Sequence, residues 1–114
     1  MIATRLVGNL VLENPILIDT TMNDWVIDNN IWLRRTAILF QLSYKEQTNE
    51  DILYEYIVKN ADRKEFFIQK AIGWALREYS KTNPESVTRF IKTTDLAPLS
   101  RREGSKYINL GELG

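Results

Sequence analysis

Cysteine and histidine are both missing from the 114 residues. Their absence removes disulfide scaffolds, Cys/His zinc sites, thiol nucleophiles and every histidine-based acid/base arrangement. Any chemistry must rest on Asp, Glu, Lys, Arg or Tyr. Long apolar runs are missing too. The longest is Ala37-Ile38-Leu39-Phe40, against the roughly 20 residues that a membrane helix needs, and no basic segment followed by an apolar stretch opens the chain. The expectation is a soluble, cytoplasmic protein with no membrane partner. Net charge is absent as well, with 15 Lys+Arg against 15 Asp+Glu, so bulk electrostatics argue for no anionic partner. Glycine is sparse, and the five present, at 8, 73, 104, 111 and 114, fit neither nucleotide-binding fingerprint. A nucleotide-driven enzyme is not expected.

What is present is ordinary for a globular chain: 44% hydrophobic and 26% charged residues. Its length fits a single domain over 1–114, able to remove roughly two thirds of the unfolded surface from water. Charge is unevenly spread. Residues 1 to 33 carry Arg5 against Glu13, Asp19, Asp24 and Asp28, so the basic excess lies in the C-terminal two thirds.

Apolar residues return at three- and four-residue intervals along nearly the whole length, which predicts an all-α chain. Asn14-Pro15 and Asn83-Pro84 place proline where its missing N–H costs nothing, and Thr48-Asn49-Glu50-Asp51 reads as a capped, acidic helix start. The coarse map has helices near 1–12, 15–27, 30–45, 50–60, 64–81, 84–94 and 100–109. A shift of 34 pairs Ala37 with Ala71, Ile38 with Ile72, Phe40 with Trp74, Leu42 with Leu76 and Ser43 with Arg77, and Arg101-Arg102-Glu103-Gly104 repeats the pattern more weakly. Such a period predicts an α-α superhelix of HEAT-like helix pairs, a partial solenoid in which each pair buries its apolar stripe on the next. A plain helical bundle is the alternative.

On the fifth helix Lys70, Gly73, Arg77 and Lys81 fall on one stripe, with Trp74 one turn from both Lys70 and Arg77. Glycine costs a helix interior about 1 kcal/mol, so Gly73 implies close approach by another backbone or a ligand. Arg34 and Arg35 follow Trp32 in the third helix, and Arg101, Arg102 and Lys106 hold the corresponding place in the seventh. Cations stacked from successive repeats would grip duplex phosphates, with Trp74 against a sugar or base face. The competing reading pairs Arg34, Arg77 and Lys81 with Glu78, Glu46 or Glu103 and buries Trp32 and Trp74 in the core. Asp24 and Asp28 share a helical face but carry no independent catalytic signal.

Three blocks carry a resemblance: Asp28-Asn29-Asn30-Ile31-Trp32-Leu33-Arg34-Arg35-Thr36-Ala37-Ile38-Leu39, then Lys64 through Tyr79, then Leu99-Ser100-Arg101-Arg102-Glu103. In order and spacing they resemble the AlkD-like DNA alkylation repair proteins. The resemblance implies HEAT-like repeats around double-stranded DNA and glycosylase excision of N3- and N7-alkylated purines, without metal or organic cofactor. It makes Arg35 the active-site arginine at the lesion phosphate, Trp74 one wall of an aromatic cleft and Arg77 a phosphate contact, with Lys70 and Lys81 as further DNA-binding residues. Ser43 stands where family members often carry lysine, and Gly104 where the last block usually has alanine. The family's Trp-Trp-Asp-Thr-Val-Asp segment, which holds the catalytic carboxylate, would precede Met1. The chain therefore resembles the C-terminal half of the solenoid, and alone it is expected not to excise alkylated purines. A noncatalytic DNA-binding or protein-interaction module is the alternative. Self-association through Leu6 and Leu10 at the open solenoid end is a further expectation.

Overall fold

The computed structural model describes residues 4–108, and every regular element among them is helical. Helix α1 (Thr4–Glu13) is followed by a π-helical turn, Ile18–Met22, that runs into the short α2 (Asn23–Trp25). Then come α3 (Ile31–Leu39), a 3-10 turn (Lys45–Gln47), α4 (Glu50–Asn60), α5 (Phe66–Ser80), α6 (Pro84–Thr93) and α7 (Pro98–Gly104). Helices α1, α3, α5 and α7 pack side by side as one layer, and α2, α4 and α6 back it. This is the helical-repeat arrangement expected from the 34-residue shift.

Local chemistry sets most of the boundaries. The Asn49 side chain accepts from the Ile52 N–H at 3.1 Å, and α4 begins and ends where the sequence predicted. Asn83 accepts from Ser86 N–H at 3.2 Å, with Pro84 in the first turn of α6. Asp28 accepts from the Asn30 N–H at 2.8 Å, and Asn30 in turn caps α3 through the Trp32 N–H at 2.9 Å.

Four spans of the coarse map need correction. The predicted 15–27 helix contains the π turn, where the Thr20 hydroxyl bonds the Ile16 carbonyl and competes with regular pairing. The predicted 30–45 helix stops at Leu39, because Gln41 turns aside to bond both the N–H and the carbonyl of Asn49 and Lys45 takes a left-handed φ of 54°. Helix α5 starts at Phe66 rather than 64, after an extended Glu65 paired with Arg63. Helix α7 starts at Pro98, two residues early, since proline occupies its first turn, and ends at Gly104 rather than 109, where the Ser105 hydroxyl turns back onto the Arg101 carbonyl at 2.7 Å. The expected helical residues 1–3 and 109 lie outside the described residues.

Two apolar clusters hold the layers together. One joins α3, α4, α5 and α6 through Ile38, Leu39, Leu53, Ile57, Ile68, Ile72, Leu76, Val87 and Ile91. The other joins α1 and α2 to α3 and α4 through Val11, Met22, Val26, Phe40 and Tyr56. Each such aliphatic side chain fully withdrawn from water contributes about 1.5–3 kcal/mol. Gly8 lets α1 close on the end of α3: a Cβ there would lie 2.4 Å from the Phe40 carbonyl oxygen, and the Tyr44 hydroxyl donates to the Gly8 carbonyl at 2.6 Å. Leu6 and Leu10 stay exposed on α1, as does Ile16 just beyond it.

Candidate nucleic-acid interface

The cations of the side-by-side layer fall into two groups, and burial separates them. Arg34 is 9% exposed and faces the backing layer. Its guanidinium donates to the carbonyls of Asp28 at 2.6 Å and Ile27 at 3.1 Å, and to the Asn60 side-chain oxygen at 2.8 Å. Fully buried Asn60 returns its amide to the carbonyls of Val26 and Tyr56. Arg34 is therefore neither part of a stacked cation track nor a solvated ion pair: it is a tie between the α2–α3 junction and α4.

Arg35 points the other way. Its guanidinium carbon sits 5.9 Å from the Trp74 ring centroid, joining α3 to α5 across the open face. Trp74 is half-buried, and Lys70 and Arg77 lie one turn from it on the side toward α7. There Glu103 receives both: its Oε1 is 3.4 Å from Lys70 Nζ and 3.4 Å from Arg77 Nη1. Lys70 beside Glu103, reinforced by Arg77 and Lys106, holds its carboxyl below the ordinary glutamate value. Lys81 pairs with Glu78 at 2.8 Å and lies 5.3 Å from the Tyr107 ring. All five sequence-predicted residues, Arg35, Lys70, Trp74, Arg77 and Lys81, thus sit along the α3–α5–α7 row, and each cation has a carboxylate or an aromatic partner.

Gly73 lies between these cations, where the expected close approach occurs. An added Cβ would come 2.6 Å from Glu103 Cβ and 3.3 Å from the Ser100 carbonyl oxygen. Ser100 fastens the same crossing by donating its hydroxyl to the Gln69 carbonyl at 2.8 Å. The missing side chain is what brings Glu103 within reach of Lys70 and Arg77.

Trp74 also walls a cleft of about 750 Å³ at the C-terminal ends of α3 and α5, where Arg5, Ser43, Lys45 and Lys81 contribute polar edges. Arg5 and Lys45 were not singled out from the sequence. Lys45 fell inside a span predicted as continuous helix, which hid the turn that aims it here. Trp32, expected in the core by the charge-pairing reading, is 47% exposed and meets Phe67 at 5.1 Å between ring centroids. With Phe66 it makes an aromatic edge at the N-terminal ends of α3 and α5. Among the described residues no group of three carboxylates stands ready to hold a metal.

Fold and face together define a helical-repeat protein with a cationic, aromatic-walled open side. The sequence matches the DNA alkylation repair enzyme family over residues 1–108, and the chain belongs to that family. A solved structure described as a predicted DNA alkylation repair enzyme from Enterococcus faecalis superposes with a TM-score of 0.85 at 44% identity. The match covers 92% of this chain and 49% of that one, so the chain spans about half the length of its structural relative. No curated protein matches it. Among the described residues no helix is long and apolar enough to cross a membrane.

Proposed function

We propose that these helices form the backbone-gripping part of a DNA alkylation repair glycosylase. Double-stranded DNA lies along the α3–α5–α7 row, Arg35, Lys70, Arg77 and Lys81 meet its phosphates, and Trp74 packs against the sugar at the lesion. The observation that carries this reading is the Arg35–Trp74 contact. It joins two expected site residues, from separate helices, on the solvent-facing side of the layer.

Excision of N3- and N7-alkylated purines is the activity proposed for the protein to which these helices contribute. Such bases carry positive charge and leave readily, so the protein must supply a firm hold on the sugar-phosphate and stabilisation of a developing oxocarbenium ion. Arg35 suits the holding role, because its planar guanidinium matches phosphate geometry and the Trp74 ring limits where it can point. Existing ion pairs do not prevent binding. Exposed pairs contribute roughly 0–1 kcal/mol each, and lysine and arginine keep unused donors for phosphate oxygens.

The test is duplex affinity against salt concentration, followed by fluorescence anisotropy. The wild-type chain should bind weakly, and an Arg35→Ala, Arg77→Ala double variant should bind more weakly with a log–log salt slope smaller by about 0.9 per phosphate contact removed. Unchanged affinity and slope would remove the reading. The pairing of Arg35, Lys70, Arg77 and Lys81 favours a second one, a noncatalytic interaction module, and that result would support it.

A further inference from the structure

We propose that Glu103 is the resident counter-anion of this face: in the DNA-free protein its carboxylate holds the place between Lys70 and Arg77 that a DNA phosphate takes over on binding. The inference rests on the DNA-gripping reading above and adds to it how the grip is kept weak and reversible.

Four observations converge. One oxygen, Oε1, is shared between Lys70 Nζ and Arg77 Nη1 at 3.4 Å each, so a single anionic atom bridges both cations. Both contacts are longer than the roughly 2.7–2.9 Å of a well-formed charge-assisted hydrogen bond, which makes the carboxylate a displaceable occupant. Glu103 is not there by chance of rotamer. Its Cα is held against α5 by the Gly73 crossing and the Ser100–Gln69 bond, and its side chain is only 21% exposed. Finally, the charges facing it are Lys70 and Arg77 from α5 and Lys106 beyond α7, three cations around one anion, and they hold its carboxyl below the ordinary value.

A phosphodiester and a carboxylate each carry one negative charge, so binding exchanges one anion for another and gains less than bare cations would. Removing the carboxylate's charge while keeping its shape should therefore tighten binding. Glu103→Gln in the 114-residue chain, titrated with a short undamaged duplex at low salt, should bind about fivefold more tightly than wild type, the size of one to two exposed charge contacts. In an Arg77→Ala, Lys70→Ala background the same change should give little gain.

A second readout is the Glu103 carboxyl titration followed by NMR. Its pKa should lie below the ordinary glutamate value in the free protein and rise when duplex is bound, because phosphate then claims Lys70 and Arg77. A purely structural carboxylate would not move. If Glu103→Gln binds no tighter than wild type while Arg77→Ala still weakens binding, the counter-anion is overturned and the DNA-gripping reading stands. Failure of the wild-type chain to bind duplex at all would overturn both.

Discussion

Arg34 and Arg35 are adjacent, chemically identical and employed in opposite ways. Arg34 spends its donors on two carbonyls and a buried amide, whereas Arg35 lays its guanidinium on a half-buried indole. Removing the first leaves buried acceptors unpaired, which costs about 3 kcal/mol. Removing the second forfeits a cation–π contact of about 0.5–1 kcal/mol. Arg34→Ala should therefore shift the urea midpoint strongly while Arg35→Ala barely moves it, and only the second should change duplex binding with the fold intact. Equal effects on stability would refute the division of labour. Sequence reading could not assign Arg34. Its nearest partners are main-chain carbonyls from its own flank and Asn60, 26 positions away, and nothing in the residue type marks it as inward-facing. Arg35, Trp74 and Arg77 were legible because a resemblance to known blocks named them, and the geometry then brought Arg35 and Trp74 together.

Helix ends were legible where one side chain decides them. Asn49 and Asn83 cap α4 and α6 by local bonds, so spacing alone located both starts. Ends fixed from outside were not: α3 stops early because Gln41 reaches Asn49 across the loop, a contact with no local signature. The α5–α7 crossing lies between these cases. Gly73 announced a close approach but not its partner, which is the Glu103 stem. Alanine at 73 would gain about 1 kcal/mol of helix propensity and lose about 1–3 kcal/mol to overpacking. Glu103 Cβ cannot swivel away as a flexible tip would. Gly73→Ala should therefore lower the melting temperature by about 5 °C, read by circular dichroism, despite the better helix former. A higher melting temperature would show that α7 yields freely.

Across the whole molecule, the polar groups that tie the layers are mainly tyrosine hydroxyls, amides and carbonyls. Tyr44 bonds Gly8, Tyr56 bonds Asn23, and Tyr54 bonds Ser86 while stacking on Phe90 with ring centroids 4.1 Å apart. Burial pushes the hydroxyl pKa of each of these three tyrosines from 10.0 to about 12. The folded state thus holds their protons more tightly than the unfolded chain does. That contribution is complete below about pH 10 and is lost as pH rises from about 10 to about 12. Tyrosinate absorbance should accordingly show these three of the five tyrosines ionising together with unfolding. Ionisation of these three near pH 10 in the intact fold would contradict the packing.

The Arg34–Asn60 tie has a consequence for how the protein meets its surroundings. None of its hydrogen-bond partners is a carboxylate, and its guanidinium is shielded from dissolved ions. The open row is the reverse: Lys70, Arg77, Glu103, Lys81 and Glu78 pair where counterions reach them. Ionic strength can therefore retune the open row across a wide range before the framework behind it slackens.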